Sequence, residues 1–155
     1  MKPLDIGFNL AVQHIANKLC PDGYQASEDA PHTYAKLRAH LDRNTQMLVW
    51  SGASEHTIFG EPEINWAFRA WHDWCHYYGA HAFTPEGERA VFRMQCSHLL
   101  LFYGDSLRTR HWIKLLRAEV IGQQDYFYKH GHFPYDQRAF VEAYLNGTYY
   151  DQAAE

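Results

Sequence analysis

The placement of helix breakers constrains this chain more than any other feature. In its second half, glycine and proline gather at Gly79, Thr84-Pro85, Gly104, Gly131 and Asn146-Gly147. Apolar residues recur every three or four positions between these points, which is the period of helix and not of strand. Ile64, Phe68, Trp71, Cys75 and Tyr78 form one such stripe after Glu61-Pro62 and before Gly79. Thr84-Pro85-Glu86 reads as the start of the next helix: a capping hydroxyl, proline in the first turn and an acid at the positive end of the dipole. That helix is expected to reach Tyr103. A fifth spans Ser106 to His130 with Gly122 inside it, and a sixth spans Asp136 to Leu145.

Upstream, a first helix is expected from Leu4 to Leu19, with Asp5 near its start and Pro21-Asp22-Gly23 ending it. A second runs from Pro31 to Arg43. The stretch TQMLVWSGASEHTIFG breaks the helical period and reads as a loop with room for a brief strand. The expected fold is all-α, a single domain over the whole chain, built as a bundle-like array of about six helices.

Hydrophobic residues make up 46% of the 155 positions and aromatics 16%, enough for a packed aromatic core and against disorder. A formal net charge of −4 argues against nucleic acid as partner, although Arg108, Arg110, Lys114 and Arg117 could form a local basic patch. Cys20, Cys75 and Cys96 are odd in number and fit no zinc spacing, so reduced, buried thiols are expected. No apolar run suits a signal peptide or a membrane span, which leads to the expectation of a cytoplasmic protein.

The chemistry concentrates in FRAWHDWCHYYGAHAFTPEGE. His72 and His76 stand four apart, one helical turn, so both imidazoles share a face and could grip one ion. The pattern H-D-x-x-H is close to the H-E-x-x-H of zinc enzymes, with Asp73 in the position of the acid. The bland alternative is a pair of satisfied core histidines. On the fourth helix Glu88 and Gln95 share a face, with His98 a turn beyond. Glu88 could equally cap its own helix and stay wet. On the fifth, Glu119 and Gln123 form another pair one turn apart, and Glu119 could instead be a solvated partner of Arg117 or Lys114.

The combination points to a divalent ion, zinc, iron or manganese, held by His72, His76, Glu88 and Glu119. Gln95, His98 and Gln123 would orient those ligands. The function expected is a metal-dependent hydrolase of a small-molecule substrate, phosphoesters included, with Asp73 or Glu119 as general base. A ferritin-like protein with two iron or manganese ions is an alternative, although its repeated E-x-x-H pairs are missing. A non-enzymatic interaction or inhibitor protein is another, with DYFYKHGHFPYD as its contact surface.

Two family resemblances attach to these residues. Phe68 to Asp73, residues 83 to 90 and Glu119 to Gln123 resemble the F-R-x-x-H-D, F-x-x-x-G-E and E-T-x-G-Q motifs of a poorly characterised helical domain of phages and mobile elements. Val120 stands in place of the threonine. This resemblance implies a helical fold with shared polar positions, a host-cytoplasm location and no particular reaction. HDWCHYYGAHA, residues 72 to 82, resembles the H-D-x-x-H-x-x-x-x-H-A stretch of HD-superfamily triphosphohydrolases. That likeness implies His72 and Asp73 as metal ligands, His76 and His81 near phosphates, and His56 and Asp125 as further ligands.

Overall fold

A computed structural model describes residues 1–148. The chain runs α1 (Ile6–Leu19), β1 (Tyr24–Ser27), α2 (Tyr34–Leu41), β2 (Met47–Trp50), α3 (Pro62–Gly79), α4 (Pro85–Tyr103), α5 (Leu107–Arg117), a π-helical turn (Ala118–Gly122), α6 (Gln123–His130) and α7 (Gln137–Leu145). The fold is mostly helical, as the breaker pattern predicts. Asp5, Thr84, Ser106 and Asp136 cap α1, α4, α5 and α7, each side chain accepting from a backbone N–H three residues on.

The apolar stripes of α1, α3, α4 and α5 meet in one core. Phe8, Ile15, Trp71, Leu99, Trp112, Leu115 and Leu116 are almost wholly buried there. Burying a side chain of this size contributes roughly 1.5–3 kcal/mol each, so this cluster dominates the stability of the bundle. No helix among the described residues is long and apolar enough to cross a membrane.

Three features depart from the sequence reading. Residues 24–27 and 47–50 pair as a two-stranded parallel sheet, in register Tyr24 to Met47 and Ser27 to Trp50. The second strand fills the room left for one, but YQAS carries too little alternation to announce the first. What secures the pair is tertiary: Met47 and Val49 are buried against Ala70 of α3. The second helix is shorter than predicted, starting at Tyr34 behind a Thr33 cap, because Pro31 lies before it in non-helical chain.

The third departure is the π-helical turn inside the predicted fifth helix, which otherwise continues from α5 into α6. A Cβ on Gly122 would lie 2.9 Å from Cε2 of Tyr144. The mid-helix glycine therefore lets α7 pack directly on the π turn, and such turns recur at functional sites. The wider turn also leaves Ala118, Glu119, Val120 and Gly122 all buried.

The candidate basic patch is dispersed in the structure. Arg110 pairs with Asp105, Arg108 lies over Trp112 and Arg117 over Phe92.

Candidate metal centre

α3 presents His72 and His76 one turn apart, and α4 crosses it with Glu88 in its first turn. The placement of Glu88 depends on the α3–α4 turn. Thr84 and Pro85 start α4, and Gly87 lets the turn backbone lie on its first residues: a Cβ there would run into the Ala82 carbonyl oxygen. Glu88 is thereby driven inward to 5% exposure, and it does not remain a wet cap.

The three side chains converge. His72 Nε2 lies 3.0 Å from Glu88 Oε2, His76 Nε2 lies 3.3 Å from Oε1, and the two Nε2 atoms are 3.1 Å apart. One donor atom from each falls within 4.8 Å of the others, close enough to hold a metal ion.

The outer ring nitrogens define the tautomers. His76 Nδ1 lies 2.7 Å from the His81 carbonyl, which can only accept, so Nδ1 carries the proton. His72 Nδ1 donates to Gln95 Oε1 at 3.0 Å. Both Nε2 lone pairs therefore face each other and a carboxylate. Electron-rich atoms this close need a cation among them, either a proton or a metal ion. In the ion-free chain the proton serves. Burial alone would depress the His72 imidazole, but the adjacent Glu88 carboxylate outweighs it and raises the pKa to about 9. Glu88 is held down to about 2, because the two imidazoles outweigh a burial that would raise it.

The other predicted residues take different places. Gln95 is the partner of His72, as expected of a ligand-orienting residue, and its own Nε2 has no hydrogen-bond partner. His98 turns away from the cluster. It accepts from the Trp71 indole N–H at 2.9 Å and borders Cys75 at 4.0 Å, where burial lowers its pKa. Asp73 stands outside the three-atom cluster, half-buried beside it, and burial raises its pKa to about 6 against the pull of His72 and His76. His56 and Asp125, the outlying ligands implied by the HD likeness, are also outside it.

Glu119 on the π turn and Gln123 at the start of α6 are buried and do not join the cluster. They line a cavity of about 460 Å³ that also exposes His72 and Glu88. Burial raises the Glu119 carboxyl to about 8, with Arg69 opposing. The Gln123 amide lies beside it and favours its charge, yet Glu119 Oε1 and Gln123 Nε2 both lack an aligned hydrogen-bond partner. A neighbouring hollow of about 540 Å³ reaches His72, Asp73, His76 and Glu88 and shares Trp50, Arg69 and Phe133 with the first.

One participant escaped sequence reasoning. Arg69 lines both hollows and donates to the backbone carbonyls of Trp50, Gly52 and Ala53 and to the Ser54 hydroxyl. Its guanidinium also lies 5.0 Å from the Trp50 ring centroid. It thereby ties the loop after β2 to α3 and forms one wall of the site. Its place in F-R-x-x-H-D, one turn before Asp73, was the available signal.

The chain matches no protein-family model, and comparison with curated proteins and with solved structures finds no match either. The site must be read from its own chemistry.

Proposed function

We propose that the protein is a metal-dependent hydrolase whose single divalent ion is held by His72, His76 and Glu88, with Asp73 as general base. The observation that carries this reading is the convergence of two Nε2 lone pairs and one carboxylate, with both Nδ1 protons directed outward. Two histidines and a carboxylate are a recurrent set for catalytic zinc, and three protein ligands leave room for water and substrate. When bound, such an ion lowers the pKa of its water and polarises the substrate.

Asp73 follows His72 directly, as the general base does in the H-E-x-x-H arrangement, and lines the hollow beside the cluster. It accepts the proton released as the water oxygen bonds to the substrate, then returns it to the leaving group as the scissile bond breaks. Glu119 suits that role poorly, since a carboxyl with a pKa of about 8 is mostly protonated at neutral pH. Only one carboxylate stands in the cluster, which favours one ion over a carboxylate-bridged pair. The same donor set occurs in non-haem iron oxygenases. The acid following His72 tips the reading toward hydrolysis.

Metal content by plasma mass spectrometry on the wild type, His72→Ala and Glu88→Ala tests the centre. Near-stoichiometric metal lost in both variants is expected. A protein that stays metal-free after reconstitution would overturn the proposal. Asp73→Asn should keep the metal and lose hydrolysis of any substrate found.

A further inference from the structure

We propose that the two hollows form one cleft that seats an extended, uncharged peptide across the cluster, with Gln124 holding the chain where the hollows meet. This deepens the hydrolase reading by naming its substrate class, and rests on that reading for the cut and not for the binding. In the cut, the water oxygen adds to the carbonyl carbon of an internal peptide bond. The carbon–nitrogen bond then breaks, and the amine leaves with the proton that Asp73 returns.

Three observations support it. The first is continuity. Trp50, Arg69, His72, Glu88, Gln124 and Phe133 line both hollows. A molecule bound at His72 and Glu88 can therefore extend into about 460 Å³ in one hollow and about 540 Å³ in the next. Beyond the shared residues the first hollow continues along Phe68, Val120, Pro134 and Tyr135, and the second along Ala30, Pro31 and Phe83. Both extensions carry apolar side chains, which suits a chain with apolar groups to either side of the bond it presents. A compact ligand would leave one of them empty.

The second is an open hydrogen-bonding group where the hollows meet. Gln124 is half-buried in the first turn of α6, and among the described residues its side-chain amide has no partner. That amide carries an acceptor oxygen and two N–H donors. A peptide group, itself donor and acceptor, pairs with it in both directions, whereas a carboxylate or phosphate brings only acceptors.

The third is the character of the walls. Among the described residues no lysine lines either hollow, and Arg69 is the one arginine there, its donors committed to the carbonyls of Trp50, Gly52 and Ala53. Phosphate recognition needs free cations or a cradle of backbone N–H groups. Glu28 and Asp73 line the second hollow and disfavour an anion further. The two rings common to both hollows, Trp50 and Phe133, are 50% and 42% exposed. Trp50 is held against Arg69, and Phe133 stacks on Phe127 at 4.8 Å, so both are fixed in place to receive apolar side chains. Residues 132–135 of the aromatic stretch DYFYKHGHFPYD thereby become a wall of the cleft.

Calorimetry on the full chain, stripped of metal by chelation, tests the proposal with three probes: acetyl-phenylalanyl-glycyl-phenylalanine amide, acetylphenylalanine amide and phenyl phosphate. The blocked tripeptide should bind at least about tenfold more tightly than either of the others. Gln124→Leu should weaken it about five- to tenfold, the loss of one or more hydrogen bonds, and leave the melting temperature unchanged. In amide NMR spectra the tripeptide should shift Val120 and Gln137 of the first hollow together with His32 and Phe83 of the second. Shifts confined to one hollow, a tripeptide no tighter than acetylphenylalanine amide or phenyl phosphate, or affinity indifferent to Gln124→Leu would overturn the proposal. A zinc-loaded chain that binds the tripeptide across both hollows and leaves it uncut would sustain the cleft and sink the hydrolase. Zinc held near-stoichiometrically by a chain that ignores the tripeptide would sink the cleft and leave the metal centre standing.

Discussion

Glu119→Gln is the most discriminating single substitution, because it removes a titrating proton and almost nothing else. The Glu119 carboxyl is raised by burial to about 8 from an ordinary value near 4.5. The folded chain therefore holds this proton over a pH range in which the unfolded chain has released it. Stability from this group is complete below about pH 4.5, falls as pH rises toward about 8, and is level above that. At about 1.4 kcal/mol per pH unit the whole gap is worth roughly 5 kcal/mol, an upper figure for a carboxyl that borders a cavity. Glutamine keeps the shape and carries no titrating proton. Urea unfolding at pH 5, 6.5 and 8 should thus show the variant gaining on the wild type by several kcal/mol from the lowest to the highest pH. Parallel pH profiles for the two proteins would refute the reasoning and mean that Glu119 is solvated or paired in the native state.

Other substitutions test the supports of the centre. Gln95→Leu removes the acceptor that orients His72 and should lower zinc affinity by about 10–100-fold. It should barely move the melting temperature, since it also deletes the unpartnered Gln95 Nε2. Gly87→Ala drives a methyl group into the Ala82 carbonyl and should cost about 1–3 kcal/mol. It should also weaken metal uptake, because Glu88 moves with the turn; full uptake would show that the turn does not place Glu88. Gly122→Ala sets the crowding against Tyr144 and Phe140 against better helix propensity, worth about 1 kcal/mol. A net loss of stability is expected by calorimetry, and a gain would mean that α7 yields easily.

The helices and much of the donor set could be read from the chain because both are local. Thr84-Pro85, Gly104 and Gly131 act on their own neighbours, so they mark helix ends wherever the helices later pack. The pairing of His72 with His76 is equally local, since one turn of helix brings the two rings together without help from the rest of the protein. What lies between elements was not legible. YQAS becomes a strand only because Met47 and Val49 dock against α3, and a four-residue segment holds no record of its partner. Glu88 and Glu119 look alike in sequence: each sits on a helix among apolar residues with a glutamine on the same face. The close approach of the turn at Gly87 drives Glu88 onto the histidines, while the π turn turns Glu119 into the neighbouring cavity. Arg69 likewise acquires its role from carbonyls on a loop that its own helix cannot specify. Helical periodicity and capping thus determined which residues could share a face. Only the packing of α4 and the π turn against α3 decided which of those faces meet, because that choice depends on contacts between segments far apart in the chain.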